Sequence, residues 1–105
     1  MEDSEVFFAK AAESQEDGNL DDALSWYTKA AKAGNLDAMY NLGLLSENVG
    51  SSQAMYNLGV LSVDAGDIDC ARSWFTQAAE AGNSDAVREL AKLSPKKSWI
   101  FKLFS

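Results

Sequence analysis

The sequence contains no histidine, one proline (Pro95) and one cysteine (Cys70). Without histidine the chain lacks both the commonest general base and the commonest metal ligand. A lone cysteine cannot close an intrachain disulfide, so the redox compartment is unconstrained. Cys70 reads as a small, buried or half-buried helical side chain, with a reactive thiol as the alternative. No apolar run approaches the roughly 18–20 residues of a membrane span. Glycine-rich phosphate loops of the P-loop or dinucleotide-binding type are also missing. Positive charge is scarce: 9 Lys and Arg stand against 16 Asp and Glu, for a net charge of −7. That balance excludes nucleic acid as a partner, because phosphate neutralisation needs a basic surface. Met1-Glu2-Asp3-Ser4-Glu5 is acidic where a secretion signal is positively charged. The expected compartment is therefore the cytoplasm, although an exported protein trimmed of its signal would look the same.

What is present is an internal repeat within 105 residues, a length that suits a single domain over 1–105. Hydrophobic residues make up 47%, enough for a folded core. A shift of 48 lays Gly18–Leu45 on Gly66–Leu93. Ser25-Trp26-Tyr27-Thr28-Lys29-Ala30-Ala31 then falls on Ser73-Trp74-Phe75-Thr76-Gln77-Ala78-Ala79. A shift of 16 lays Ala38-Met39-Tyr40-Asn41-Leu42-Gly43 on Ala54-Met55-Tyr56-Asn57-Leu58-Gly59. Ala23, Trp26, Tyr27, Ala30 and Ala31 follow the spacing of one buried helical face, as do Ala71, Trp74, Phe75, Ala78 and Ala79. Ala38, Leu42, Leu45 and Val49 form a narrower stripe, matched by Ala54, Leu58 and Leu61. Large rings alternating with alanine allow two helices to pack closely.

The punctuation agrees with helices joined by very short turns. Gly34 and Gly82 stand where a helix ends in the left-handed conformation, and Asn35 and Asn83 follow as N-caps. Ser51 precedes Ala54 in the same way, and Asp67 opens the helix that carries Trp74. Helices are expected near 4–16, 20–33, 36–48, 52–64, 67–81 and 84–93, antiparallel in succession. A short seventh is expected over 95–104, with Ser94 as N-cap and Pro95 in the first position. No segment reads as strand. The expected fold is all-α: a short α-solenoid of antiparallel helix pairs, about six repeat helices plus a C-terminal capping helix.

The motifs resemble the Sel1-like repeat, a relative of the tetratricopeptide repeat. The family's first helix is matched by Ala38, Leu42 and Gly43, and by Ala54, Leu58 and Gly59. Its second is matched by Ala23, Trp26, Tyr27, Ala30, Ala31, Gly34 and Asn35, and by Ala71, Trp74, Phe75, Ala78, Ala79, Gly82 and Asn83. The resemblance covers residues 18–93 and implies a protein-binding scaffold. It breaks between Gly50 and Ser51, where one first-type helix passes directly into another and the Trp-Tyr helix between them is missing. Unequal recombination inside a repeat array leaves such near-identical blocks, as would engineering. Two outcomes follow: helix 52–64 repacks in the place of the missing helix, or two chains cover each other's exposed stripe as a homodimer.

Other features have simpler explanations. Glu13, Glu16, Asp17, Asp21 and Asp22 crowd one region, but carboxylates near helix starts suit the helix dipole, and calcium-loop spacing is absent. No metal, cofactor or catalytic residue is therefore assigned, and an enzyme is not expected. Ser94-Pro95-Lys96-Lys97 matches a proline-directed phosphorylation site and also reads as a helix start. Residues 94–105 carry Trp99, Ile100, Phe101, Leu103 and Phe104 among Lys96, Lys97 and Lys102. They read as a capping helix with Trp99, Ile100, Leu103 and Phe104 turned inward. Contact with a membrane surface and self-association are the alternatives.

The resemblance implies a concave groove lined by the first-type helices. Opposite their buried stripes lie Tyr40, Asn41 and Leu44 on one helix and Tyr56, Asn57 and Val60 on the next. Tyrosine gives rigid contact area and asparagine can bond peptide groups, so these six are the candidate partner-binding residues; burial between helices is the competing reading. The expected partner is a protein or peptide, basic or neutral rather than acidic given the negative field. The alternative function is a self-associating structural module whose irregular seam forms a homodimer interface.

Overall fold

The computed structural model describes residues 2–93. They form six helices: α1 (Glu2–Glu16), α2 (Leu20–Lys32), α3 (Leu36–Val49), α4 (Ser52–Asp64), α5 (Ile68–Glu80) and α6 (Ser84–Leu93). The helix expected over 95–104, its Ser94 cap and the inward face of Trp99, Ile100, Leu103 and Phe104 lie outside the described residues. Helix bounds otherwise agree with expectation to within two residues.

One turn joins every pair of helices. Gly18, Gly34, Gly50, Gly66 and Gly82 all have positive φ, between 70° and 100°, and they recur every sixteenth residue. The 48-residue repeat is therefore three steps of a single helix-plus-turn frame. At each turn the residue after glycine returns its N–H to a carbonyl five residues back, as in Asn35 N to Ala30 O and Asn83 N to Ala78 O. This closes the carbonyls that a helix end leaves open. The same residue then caps the next helix. Asn35 Oδ1 accepts from Ala38 N at 2.8 Å, Ser51 Oγ from Ala54 N at 3.2 Å, Asp67 Oδ1 from Cys70 N at 3.1 Å and Asn83 Oδ1 from Ala86 N at 2.9 Å. Asn19 makes no such side-chain bond.

Among consecutive helices the closest associations are α1 with α2 and α4 with α5, and the sparsest is α3 with α4. The two close pairs use equivalent contacts. Phe8 meets Tyr27 with ring centroids 5.7 Å apart, and Tyr56 meets Phe75 at 5.6 Å. Each ring lies 48 positions from its counterpart, so α1–α3 and α4–α6 are two copies of one three-helix unit. The molecule is elongated, 54 × 27 × 16 Å, with a radius of gyration of 15.3 Å. A compact chain of this length would have about 13 Å.

The core divides accordingly. One cluster joins Ala23, Tyr27, Ala30, Leu42, Leu45, Leu58 and Leu61, and the other joins Met55, Ala71, Phe75, Ala78 and Ala86. Helix α4 serves both. Its Ala54, Leu58 and Leu61 close the first cluster beside α2 and α3, while Met55 and Gly59 receive α5. Helix α4 thus joins the two clusters within one chain.

Three details depart from the sequence reading. Val49, placed in the α3 stripe, is 37% exposed. It lies in the last turn, and Ser46 takes the inner position instead, fully buried with its hydroxyl donating to Gly43 O at 3.0 Å. Ser62 does the same in α4, donating to Leu58 O at 2.8 Å. Trp26 and Trp74, assigned to buried faces, are only half-buried. Trp26 stacks on Phe7 at 5.7 Å and lies under the ammonium groups of Lys10 and Lys29, at 4.7 and 4.5 Å. Those contacts suit a ring at the boundary between core and water.

Candidate binding groove

Helix α3 carries three large apolar side chains that no helix among the described residues covers. Leu36, Tyr40 and Leu44 are 77%, 69% and 51% exposed. Their four-residue spacing places them in one row along the helix. Across from that row stands α5, which approaches α3 through Trp74. The indole lies over Gly43 so closely that a Cβ there would be 3.0 Å from Trp74 Cζ2. Glycine therefore lets the ring bridge the two helices while leaving an opening above it.

The opening is a groove of about 390 Å³. Leu36, Met39, Tyr40 and Leu44 form one wall, Cys70 and Trp74 the other, and Leu58 and Ser62 of α4 the floor. Among the described residues, Glu47 is the one charged side chain lining it. Such a surface offers apolar area and aromatic anchors with a negative edge, which suits an amphipathic segment. Cys70 is half-buried here. Arg72, two positions on, points to the other side of α5, where it pairs with Asp69 at 3.1 Å and donates to Leu93 O at 3.3 Å.

The six residues selected from the sequence do not share this groove. Tyr40 and Leu44 line it. Asn41 lies with Gln15, Leu45 and Asn48 in a separate cleft between α1 and α3, which Leu44 also borders. The Tyr27 hydroxyl donates to Gln15 Oε1 at 2.8 Å beside it. Burial pushes the Tyr27 pKa up, and the Asn41 side chain opposes that shift. Tyr56 and Val60 pack against the Phe75 cluster. Asn57 accepts from Gln53 Nε2 at 3.2 Å and lines a third cleft, between α2 and α4.

The division follows from helix order. Odd helices flank the groove and the α1–α3 cleft and even helices flank the third cleft, so α3 and α4 present nearly identical sequence blocks on opposite sides. Sequence reasoning missed Leu36, Met39, Cys70 and Trp74. The available signal was the Leu36-x-x-x-Tyr40-x-x-x-Leu44 row; the contribution of α5 depended on tertiary packing. Among the described residues no helix is long and apolar enough to cross a membrane. In comparison with known proteins, no family model and no curated protein matches the chain.

Proposed function

We propose that the chain is a non-enzymatic, protein- or peptide-binding helical-repeat module of the Sel1-like, tetratricopeptide-like kind, and that the α3–α5 groove is its binding surface. The uncovered Leu36, Tyr40 and Leu44 row facing Trp74 carries this reading. The ligand is a short amphipathic segment that places aromatic or aliphatic side chains over Leu58 and a basic flank toward Glu47. The net charge of −7 favours that polarity over an acidic ligand. A homodimer built on the seam has less support, because Ala54, Leu58 and Leu61 are already buried within one chain.

A panel of fluorescent amphipathic peptides, basic, neutral and acidic, tests the proposal by anisotropy. Basic peptides should bind best, and the double substitution Tyr40→Ala, Leu44→Ala should weaken binding at least ~10-fold, as expected for anchors of this type. Helicity should be unchanged, because both side chains are largely exposed. Binding that survives the double substitution would place the ligand elsewhere.

A further inference from the structure

We infer that residues 94–105 of the same chain occupy the α3–α5 groove and act as an internal ligand that an external peptide must displace. This rests on the groove being the binding surface proposed above. Three observations carry it.

The first is where the chain leaves α6. Arg72 Nη2 donates to the Leu93 carbonyl at 3.3 Å, which fixes that exit alongside the first turns of α5. The groove wall formed by Cys70 and Trp74 is on the other side of the same turns. Positions two apart on a helix point about 200° from each other. Residues 94–98 reach about 16–18 Å when extended, and a helix is about 10–12 Å across. Five residues therefore suffice to bring Trp99 over the start of α5 to the groove.

The second is charge. All 16 acidic residues lie in 1–93, together with six of the nine basic ones, which leaves −10 there and +3 in 94–105. The path around α5 passes the exposed Asp64, Asp67 and Asp69 of the α4–α5 junction. Lys96 and Lys97 stand in the part of the sequence that makes this crossing. Lys102 follows, with Glu47 on the groove edge as its counterpart.

The third is chemistry. In the sequence, Trp99, Ile100, Leu103 and Phe104 have the spacing of one apolar helical face. The groove offers Leu36, Tyr40 and Leu44, which no helix among the described residues covers, beside the half-buried Trp74. Burying one face against the other removes both from water. A tethered segment also acts at a high effective concentration, so modest contacts hold it.

Cys70 is the only cysteine in the chain and lines the groove, so its alkylation rate reports coverage. Two full-length variants are compared with the parent chain: Trp99→Ala with Phe104→Ala, and the charge reversal Lys96→Glu with Lys97→Glu. Circular dichroism verifies that both keep the parent's helicity. Cys70 should react with iodoacetamide roughly 10-fold faster in either folded variant, the change expected when a segment bound about nine-tenths of the time is released. A third chain, Ile100→Cys, should form an intrachain disulfide with Cys70 in oxidised glutathione, at a yield independent of protein concentration.

Unchanged Cys70 reactivity in the charge-reversed chain, with no intrachain disulfide, overturns the inference and leaves 94–105 as an end cap. Disulfides that join two chains, increasing with concentration, overturn it in favour of a second copy. The two proposals can fail separately. If a basic peptide binds the Trp99→Ala, Phe104→Ala chain no more tightly than the parent, the internal ligand is wrong and the binding surface stands. If Cys70 is protected by 94–105 but no peptide competes, the external-ligand function is wrong and the internal contact stands.

Discussion

Gly43 and Gly59 hold equivalent positions in two nearly identical sequence blocks, yet they receive different rings. A Cβ at 59 would overlap the Phe75 ring, and Phe75 is fully buried. At 43 the nearest atom would be 3.0 Å away and belongs to the half-buried Trp74, which can tilt toward the groove. Alanine in place of a helical glycine contributes about 1 kcal/mol, whereas overpacking a rigid core costs about 1–3 kcal/mol. Gly59→Ala should therefore destabilise by up to about 2 kcal/mol, and Gly43→Ala should be neutral to within about 0.5 kcal/mol. Urea denaturation of the two variants checks the contrast. Tyr27 supplies a second prediction. Its folded pKa is raised by burial, so the native state holds the phenol proton more tightly than the unfolded chain does. The stability associated with that difference is complete below the ordinary tyrosine value of about 10 and is lost as pH rises from there through the raised folded value. Tyr27→Phe should flatten the alkaline limb of a stability-against-pH curve. An unchanged limb would mean that other groups govern it.

At the scale of the element, each helix start is a local arrangement of four residues, and this explains why the helices were legible in the sequence. Asn35, Ser51, Asp67 and Asn83 each bond the backbone N–H three positions on. Asn19 stands in the same frame without that bond. Replacing Asn35 or Ser51 with alanine should cost about 1 kcal/mol, and Asn19→Ala should cost clearly less. Thermal melts of the three variants decide this. What the sequence concealed was the partner of each helix. Tyr40 and Tyr56 sit in the same Ala-Met-Tyr-Asn-Leu-Gly block, but one is exposed in the groove and the other packs on Phe75. Four residues before them stand Leu36 and Ser52, the one local difference that hints at separate surroundings; which helix meets each ring is set by the helices above and below. The inner positions of Ser46 and Ser62 were hidden for a related reason. Each hydroxyl bonds a carbonyl of its own helix, so a polar residue can occupy a core position without an unsatisfied group.

For the whole molecule, the two clusters that meet at α4 and Trp74 predict uneven stability along the chain. In repeat proteins each unit depends on its immediate neighbours, so damage stays local. Phe75→Ala should cost about 3–5 kcal/mol. It should abolish hydrogen-exchange protection in α5 and α6 while α1 and α2 keep most of theirs, as read by mass spectrometry. Equal loss across all six helices would show a single cooperative core instead. The sixteen-residue frame has one more consequence, best expressed as parity. An antiparallel array behaves like a two-letter count in which each helix inserted or removed reverses the side taken by every helix after it. Because the repeated unit holds three helices, an odd number, every turn and cap recurs but α4, α5 and α6 are turned over relative to α1–α3. A copy of residues 19–34 inserted after Gly50 would make the first unit four helices, an even number, and put Tyr40 and Tyr56 on one side. The same edit would carry Trp74 away from Gly43 and dismantle the groove, so the groove depends on the odd number of helices in the repeated unit.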